Sequence, residues 1–160
     1  MDSIYWVVSR HCNQRCTHCY NNSEPGAPGL TCDEASRCID NMPVPDDVPV
    51  GRFILSGGEV LVWPELLFHT LERLHARHGD QSQLWVQTNG DLLDAPTLDR
   101  LLEHRVCRVD VSSIDHYHPK STLERQGGLT ELFQSRQMVP AGDGDSAPLS
   151  YAFWGATEEQ

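Results

Sequence analysis

Cys12, Cys16 and Cys19 fall within one short stretch, Cys-Asn-Gln-Arg-Cys-Thr-His-Cys, directly behind the apolar run Ile4–Val8. Thiolates are soft ligands suited to iron and zinc. Three of them on one turn can each take a different iron of a cubic four-iron cluster, which leaves the fourth iron without a protein ligand from the motif. An iron in that state can bind and reduce a small molecule as well as pass electrons onward. A structural zinc site completed by His11 or His18 is the competing chemistry. Tetrahedral zinc sites commonly use two paired ligand clusters, and no second Cys-x2-Cys follows in the chain. Six cysteines could also form a disulfide framework. With no secretion signal ahead of them and three packed together, a reduced metal-binding role is expected instead.

The elements that must carry this loop alternate regularly. Ile4–Val8, Phe53–Leu55, Leu84–Val86, Val106–Val111 and Leu149–Trp154 read as strands, and helical periodicity lies between them. Thr31 and Glu34 form a capping box ahead of Ala35, Cys38, Ile39 and Met42, one helical face that Pro43 ends. Pro64 suits a first helical turn, Leu67, Leu71 and Leu74 form the stripe behind it, and Gly79 is a C-terminal stop. Asp94 offers an N-cap to a helix carrying Leu98, Leu101 and Leu102. In the next helix Ser121 and Glu124 offer caps, but Gly127-Gly128 interrupts, so the expected start is near Leu129. Gly142 to Ser146 reads as a polar loop. Five such alternations predict parallel strands with crossover helices. The near-continuous apolar runs predict strands covered on both faces.

Polar or glycine-rich clusters stand just after these strands: the cysteines, Ser56-Gly57-Gly58-Glu59, Gln87-Thr88-Asn89-Gly90 and Ser112-Ser113-Ile114-Asp115. In parallel α/β folds the carboxyl ends of the strands share one face where sites assemble. The clusters are therefore expected to converge. Gly57-Gly58, lacking Cβ atoms, would let backbone approach a ligand closely, although a plain strand-to-loop turn explains them equally. Asn89-Gly90 is also a favoured turn pair.

The cysteine spacing after the first strand, with Gly57-Gly58-Glu59 after the second, resembles the radical S-adenosylmethionine (radical SAM) superfamily. That resemblance spans about Ile4 to Trp154. It implies an α/β fold, a partial (βα) barrel of parallel strands, with about five of the usual six strand–helix units visible here. It implies a [4Fe-4S] cluster on Cys12, Cys16 and Cys19, and S-adenosyl-L-methionine contacted by the Ser56, Gly57, Gly58 and Glu59 segment. Asn89, Ser113 and Asp115 resemble segments that line the ribose or the substrate cavity in peptide- and protein-modifying members. His18 stands where the family often has an aromatic residue against adenine, with Tyr20 as its neighbouring alternative. One departure is Val60, where proline often follows the glutamate. The implied function is reductive cleavage of S-adenosylmethionine to a 5′-deoxyadenosyl radical for hydrogen abstraction, in peptide, protein or small-molecule modification. A one-electron donor of flavodoxin or ferredoxin type would be a partner. The alternative is a non-catalytic or truncated, inactive iron–sulfur or zinc-binding module.

The chain reads as one domain over residues 1–160, a core domain incomplete at its C-terminal end. The family's last glycine-rich strand motif and its auxiliary-cluster cysteines are missing, and Trp154-Gly155-Ala156-Thr157-Glu158 looks like the start of another strand–helix junction. Among the remaining candidates, Cys38 and Cys107 read as core residues and Cys32 as an inert thiol beside a helix cap. His116 and His118 form an HxH that reads as exposed or substrate-contacting more readily than as a metal site. No catalytic side chain is assigned. A formal net charge of −11 argues against a nucleic-acid surface. With neither a signal peptide nor a membrane span in the sequence, the expected location is cytoplasmic.

Overall fold

Alternation within the strands, more than their continuous apolar character, organises the computed structural model, which describes residues 2–43, 46–112, 122–141 and 149–154. The strands are β1 (Ser3–Ser9), β2 (Arg52–Gly57), β3 (Gln83–Thr88), β4 (Val106–Ser112), β5 (Val139–Pro140) and β6 (Ser150–Trp154). They form one parallel sheet in the order β1-β2-β3-β4-β6-β5. Four helices intervene: α1 (Cys32–Asp40), α2 (Pro64–His78), α3 (Ala95–Glu103) and α4 (Leu123–Ser135). The buried residues of all four helices share one core on one side of the sheet, as parallel crossovers of a single hand require.

The helices cover only one face, yet the other face is closed off as well in the middle of the sheet, where Ser56, Trp85, Arg108 and Asp110 are buried, in keeping with the expectation of strands covered on both faces. In β2, Phe53 and Leu55 are fully buried in the core, whereas Arg52 and Ile54 alternate with them and stay half-buried. Leu84 and Val86 of β3 join the same core as Val109 and Val111 of β4, while Trp85 does not. The opposite face carries Tyr5, Arg52, Ser56, Trp85, Gln87, Arg108 and Asp110, by the two-residue period of strands. Arg52 and Arg108 stack on Trp85, 4.5 and 4.2 Å from its ring centroid. Each fully buried Leu or Phe on the helix side contributes roughly 1.5–3 kcal/mol relative to exposure, so the stabilising core lies there.

Most of the expected helix signals hold. Thr31 and Glu34 close a reciprocal capping box on α1, Pro64 opens α2, Gly79 ends it at φ +62°, and Asp94 caps α3 by accepting from the Thr97 N–H at 2.9 Å. Three expectations change. Cys38 is exposed, because α1 turns Ala35 and Ile39 inward with Cys32 and Met42 packed beside them. Cys107 is only half-buried: Leu84 pairs with Val106 and Trp85 with Arg108, so Cys107 is the extra residue of a β-bulge. α4 starts at Leu123, capped by Thr122 accepting from Arg125 N–H, and runs through Gly127-Gly128. Leu129 and Phe133, one turn apart and buried, hold it to the sheet and outweigh the glycines.

The expected fifth strand is present as β6, and two-residue β5 adds a sixth on its outer side, formed by Val139 donating to Leu149 O and Ala141 to Tyr151 O. The polar loop Gly142 to Ser146 lies outside the described residues. No helix among the described residues is long and apolar enough to cross a membrane.

Gly127 sits inside α4 with nothing within 4 Å of where a Cβ would be. Gly127→Ala is therefore expected to stabilise the protein by about 0.5–1 kcal/mol. Urea unfolding reads this directly, and a lowered midpoint would refute the continuous helix.

Candidate functional site

The cysteine loop leaves β1 through a bulge, since Val7 pairs with Ser56 and Ser9 with Gly57. It then folds back on itself. Arg10 N–H donates to Pro28 O at 2.9 Å, Glu24 N–H to Arg10 O at 3.2 Å, and Cys12 N–H to Glu24 O at 3.3 Å. Cys19 N–H donates to Cys16 O and Asn22 N–H to Cys19 O, tight turns that bring the thiols to one side. Backbone N–H groups already point at two sulfurs, Gln14 at Cys12 Sγ (3.4 Å) and Ser23 at Cys19 Sγ (3.3 Å). Burial pushes the Cys12 thiol up, reinforced by the nearby Glu59 carboxylate and Cys19, with the Gln14 N–H pulling against them.

The glycines of Ser56-Gly57-Gly58-Glu59 prove to serve the cysteine loop itself. A Cβ on Gly57 would lie 2.6 Å from Ser9 O, and one on Gly58 2.2 Å from His11 O. In their place the backbone binds: Gly58 N–H donates to Ser9 O at 2.8 Å and Glu59 N–H to His11 O at 2.9 Å. Glu59 is 1 % exposed. Its Oε1 accepts from Leu61 N–H (3.0 Å) and Thr88 Oγ1 (2.7 Å), and its Oε2 from Asn89 N–H (2.6 Å). Burial pushes its carboxyl up while these three donors pull it down, and burial prevails. Val60, in place of proline, opens a 3-10 turn that Glu59 caps.

Asn89 is both the turn residue and a site residue. Gly90 takes φ +75°, while Asn89 Nδ2 donates to Asn13 Oδ1 at 2.8 Å and Oδ1 accepts from Asp91 N–H at 2.9 Å. Asp91 in turn accepts from Asn13 Nδ2 (3.1 Å), Gln14 Nε2 (2.7 Å) and the Arg125 guanidinium.

These segments surround an open cavity of about 190 Å³ at the carboxyl ends of β2, β3, β4 and β6. Cys12, Cys16, Cys19, His18 and Tyr20 border it from the loop, and Ser56, Gly57, Gly58 and Asn89 from the strand ends. Glu59 is held behind that wall by its three donors. Ser113, Asp115, His116 and His118 lie outside the described residues. His11 stacks on Trp63 with ring centroids 5.2 Å apart, and its Nδ1 accepts from Gly26 N–H at 2.9 Å. That engagement leaves His11 poorly placed to complete a zinc site.

Tyr5, Gln87 and Asp110 also line the cavity; Gln87 belongs to a polar cluster expected there, whereas Tyr5 and Asp110 do not stand out because each is embedded in an apolar run. Their common parity, every second residue on the face away from the helices, is the signal that would have found them. The Tyr5 hydroxyl lies 2.6 Å from that of Tyr20 and 2.7 Å from Ser56 Oγ, and donates to Gln87 Oε1 at 2.6 Å. Burial is the main cause that pushes Tyr5 up to about 12, so its phenol stays protonated at neutral pH.

Among the described residues, no three His, Cys, Asp or Glu side chains converge on a single ion. Three thiols bordering one cavity suit a multinuclear group that takes one thiolate per metal atom, and N–H donors to the sulfurs suit thiolate charge. The residues present therefore fit an iron–sulfur cluster.

Comparison with known proteins adds the following. The model of the Radical SAM superfamily matches residues 6–131. No curated protein is similar to the chain in sequence. Among solved structures, BtrN in complex with AdoMet and 2-DOIA is similar with a TM-score of 0.64 at 16% identity, covering 96% of this chain and 58% of that one. The anSMEcpe structure with bound AdoMet and Kp18Cys peptide has a TM-score of 0.59 at 18% identity, covering 94% of this chain and 42% of that one. These likenesses establish the fold, a partial α/β barrel, and this chain spans only 42% to 58% of those two proteins' length.

Glu59→Gln tests the balance at the buried carboxylate. An amide offers one acceptor oxygen, so an NH2 must face the donors of either Asn89 or of Leu61 and Thr88. The expected result is a loss of about 1–3 kcal/mol in chemical unfolding at pH 7; a gain would mean that desolvation alone governs the site. Because the folded-state pKa lies above the unfolded one, wild-type stability falls as pH rises between the two, and E59Q should flatten that part of the curve.

Proposed function

The chain belongs to the radical SAM superfamily, and from that premise we propose an iron–sulfur enzyme acting by radical chemistry on a peptide, protein or small-molecule substrate. In this proposal Cys12, Cys16 and Cys19 hold a [4Fe-4S] cluster, and S-adenosylmethionine binds beside it against Ser56, Gly57 and Gly58. The observation that carries it is the meeting of all three cysteines and this segment on one cavity. Once bound and reduced, the cluster would supply one electron to the sulfonium of S-adenosylmethionine, whose C–S cleavage would yield methionine and a 5′-deoxyadenosyl radical for hydrogen abstraction from substrate.

The protein's own part is binding, orientation and electrostatics. Each cysteine must lose its proton to bind iron, so cluster uptake displaces the proton that burial favours on Cys12. The Gln14 and Ser23 N–H groups stabilise the thiolates that result. Gly57 and Gly58 let the cysteine loop dock closely on the segment that borders the cavity, and His18 or Tyr20 is assigned to the adenine. Glu59 supports the wall from behind. Asn89 faces the cavity from β3, where amide groups suit ribose hydroxyls or a polar substrate. Ser113 and Asp115 are assigned the same task from the end of β4.

Both substrate classes have support among the similar structures, one being a complex with 2-DOIA and the other with a peptide. The Cys-Asn-Gln-Arg-Cys-Thr-His-Cys-Tyr-Asn stretch favours the peptide- and protein-modifying branch. The strongly acidic charge disfavours RNA. A flavodoxin- or ferredoxin-type protein in a reducing cytoplasm is the proposed electron source.

Anaerobic reconstitution should give a brown protein with about four irons per chain. Adding S-adenosylmethionine should alter the EPR signal of the reduced cluster and release 5′-deoxyadenosine. Cys16→Ala should lose the iron, whereas Cys38→Ala, exposed on α1, should retain it. A colourless protein holding one zinc would overturn the proposal, and a cluster indifferent to S-adenosylmethionine would reduce the chain to an iron–sulfur module.

A further inference from the structure

Between Cys12 and Cys16 lie Asn13, Gln14 and Arg15, and one carboxylate holds the first two. Asp91 Oδ2 accepts from Asn13 Nδ2 at 3.1 Å and Gln14 Nε2 at 2.7 Å, while Oδ1 accepts from the Arg125 guanidinium of α4. The Asp91 side chain is only 7 % exposed. From Gln14 the hold extends to two sulfurs. In the metal-free chain its backbone N–H donates to Cys12 Sγ at 3.4 Å and its Oε1 accepts from the Cys16 thiol at 3.5 Å. A cluster would displace the Cys16 proton, and the N–H donor to Cys12 is the contact that suits a thiolate. Asn13 is gripped on its other side by Asn89.

Resting on the iron–sulfur reading above, we propose that Asp91 is a positioning residue for the cysteine ligands, anchoring the Cys12–Cys16 segment to the β3 loop and to α4. A carboxylate is the group this requires. It has two oxygens and no donor, so it can take three donors at once, whereas asparagine offers one acceptor oxygen. The partners on the loop side belong to the segment between two ligands and not to the hydrophobic core. Removing Asp91 therefore frees that segment without hollowing the fold. Residues that orient ligands in this way change metal retention by about 10–100-fold.

The test compares reconstituted wild type with Asp91→Ala, Asp91→Asn, Gln14→Ala and the Asp91→Ala/Gln14→Ala pair. Asp99→Ala, which breaks the separate Asp99–Arg136 ion pair, is the control. Iron release to an excess of ferrous chelator is timed without denaturant. Asp91→Ala should release iron about tenfold faster or more, Asp91→Asn less so, and Asp99→Ala at the wild-type rate. The double variant should add little to Asp91→Ala, because both act through Gln14, whereas independent effects would multiply. Hydrogen exchange on the metal-free protein supplies a second readout. In Asp91→Ala, residues 12–16 should exchange faster while β2, β3 and β4 remain protected. Wild-type iron release, or multiplying effects, would overturn the positioning role. So would unchanged exchange at residues 12–16. Failure of wild type to take up any cluster would instead sink the iron–sulfur reading, and the exchange measurement would still decide whether Asp91 orders the loop.

Discussion

A carboxylate almost without contact with water joins the ends of three strands. Glu59 follows β2, takes two of its donors from Thr88 and Asn89 at the end of β3, and through its own N–H and that of Gly58 binds the carbonyls of Ser9 and His11 where β1 becomes the cysteine loop. The low dielectric around it strengthens each of these bonds and makes the loss of any one costly. The cysteine loop departs from this junction at His11 and the Asn89–Asp91 turn departs from it at Asn89. The two meet at this one residue, whose carboxylate holds the end of β3 while its backbone N–H, with that of Gly58, holds the end of β1.

Seen from that junction, the paired glycines have a double use. The space their missing Cβ atoms vacate is occupied by Ser9 and His11 backbone on one side, while the same residues border the cavity on the other. The close approach of the Ser9 and His11 carbonyls explains why two consecutive glycines stand here. It also ties the three thiols to the sheet, since the loop that bears them is docked on the segment that forms the opposite wall.

Much of this was legible from residue types, and the misses have physical causes. Capping chemistry located α1 and α3 because Thr31 with Glu34, and Asp94 with Thr97, act within one turn and need no tertiary partner. The position of α4 was misjudged for the opposite reason: glycine's intrinsic cost at Gly127-Gly128 is local, whereas the burial of Leu129 and Phe133 that overrides it depends on the sheet. The inward face of α1 reads correctly at Ala35, Ile39 and Met42, but it is narrower than the periodicity suggests, so Cys38 at its margin is outside. Convergence of the cysteines, Ser56–Gly58 and Asn89 follows from parallel strand order, since each cluster stands just after a strand. Asp91 escaped notice because Asn-Gly-Asp reads as an ordinary turn, and nothing in the chain's local order reveals that its carboxylate meets residues of the first loop. Glu59 reads from the sequence as the end of the Ser56–Gly58 segment; its burial and its bonds to Leu61, Thr88 and Asn89 are tertiary and become visible only in the fold.

The two-residue alternation of the sheet separates two kinds of selective pressure. Side chains such as Phe53, Leu55, Val86 and Val109 answer to the helices and carry the free energy of folding. Their immediate neighbours Ser56, Gln87 and Asp110 answer to whatever occupies the hollow. A lineage descending from this chain could exchange the second set for a new substrate while leaving the first untouched. The same scaffold can thereby drift in chemistry without having to relearn how to fold.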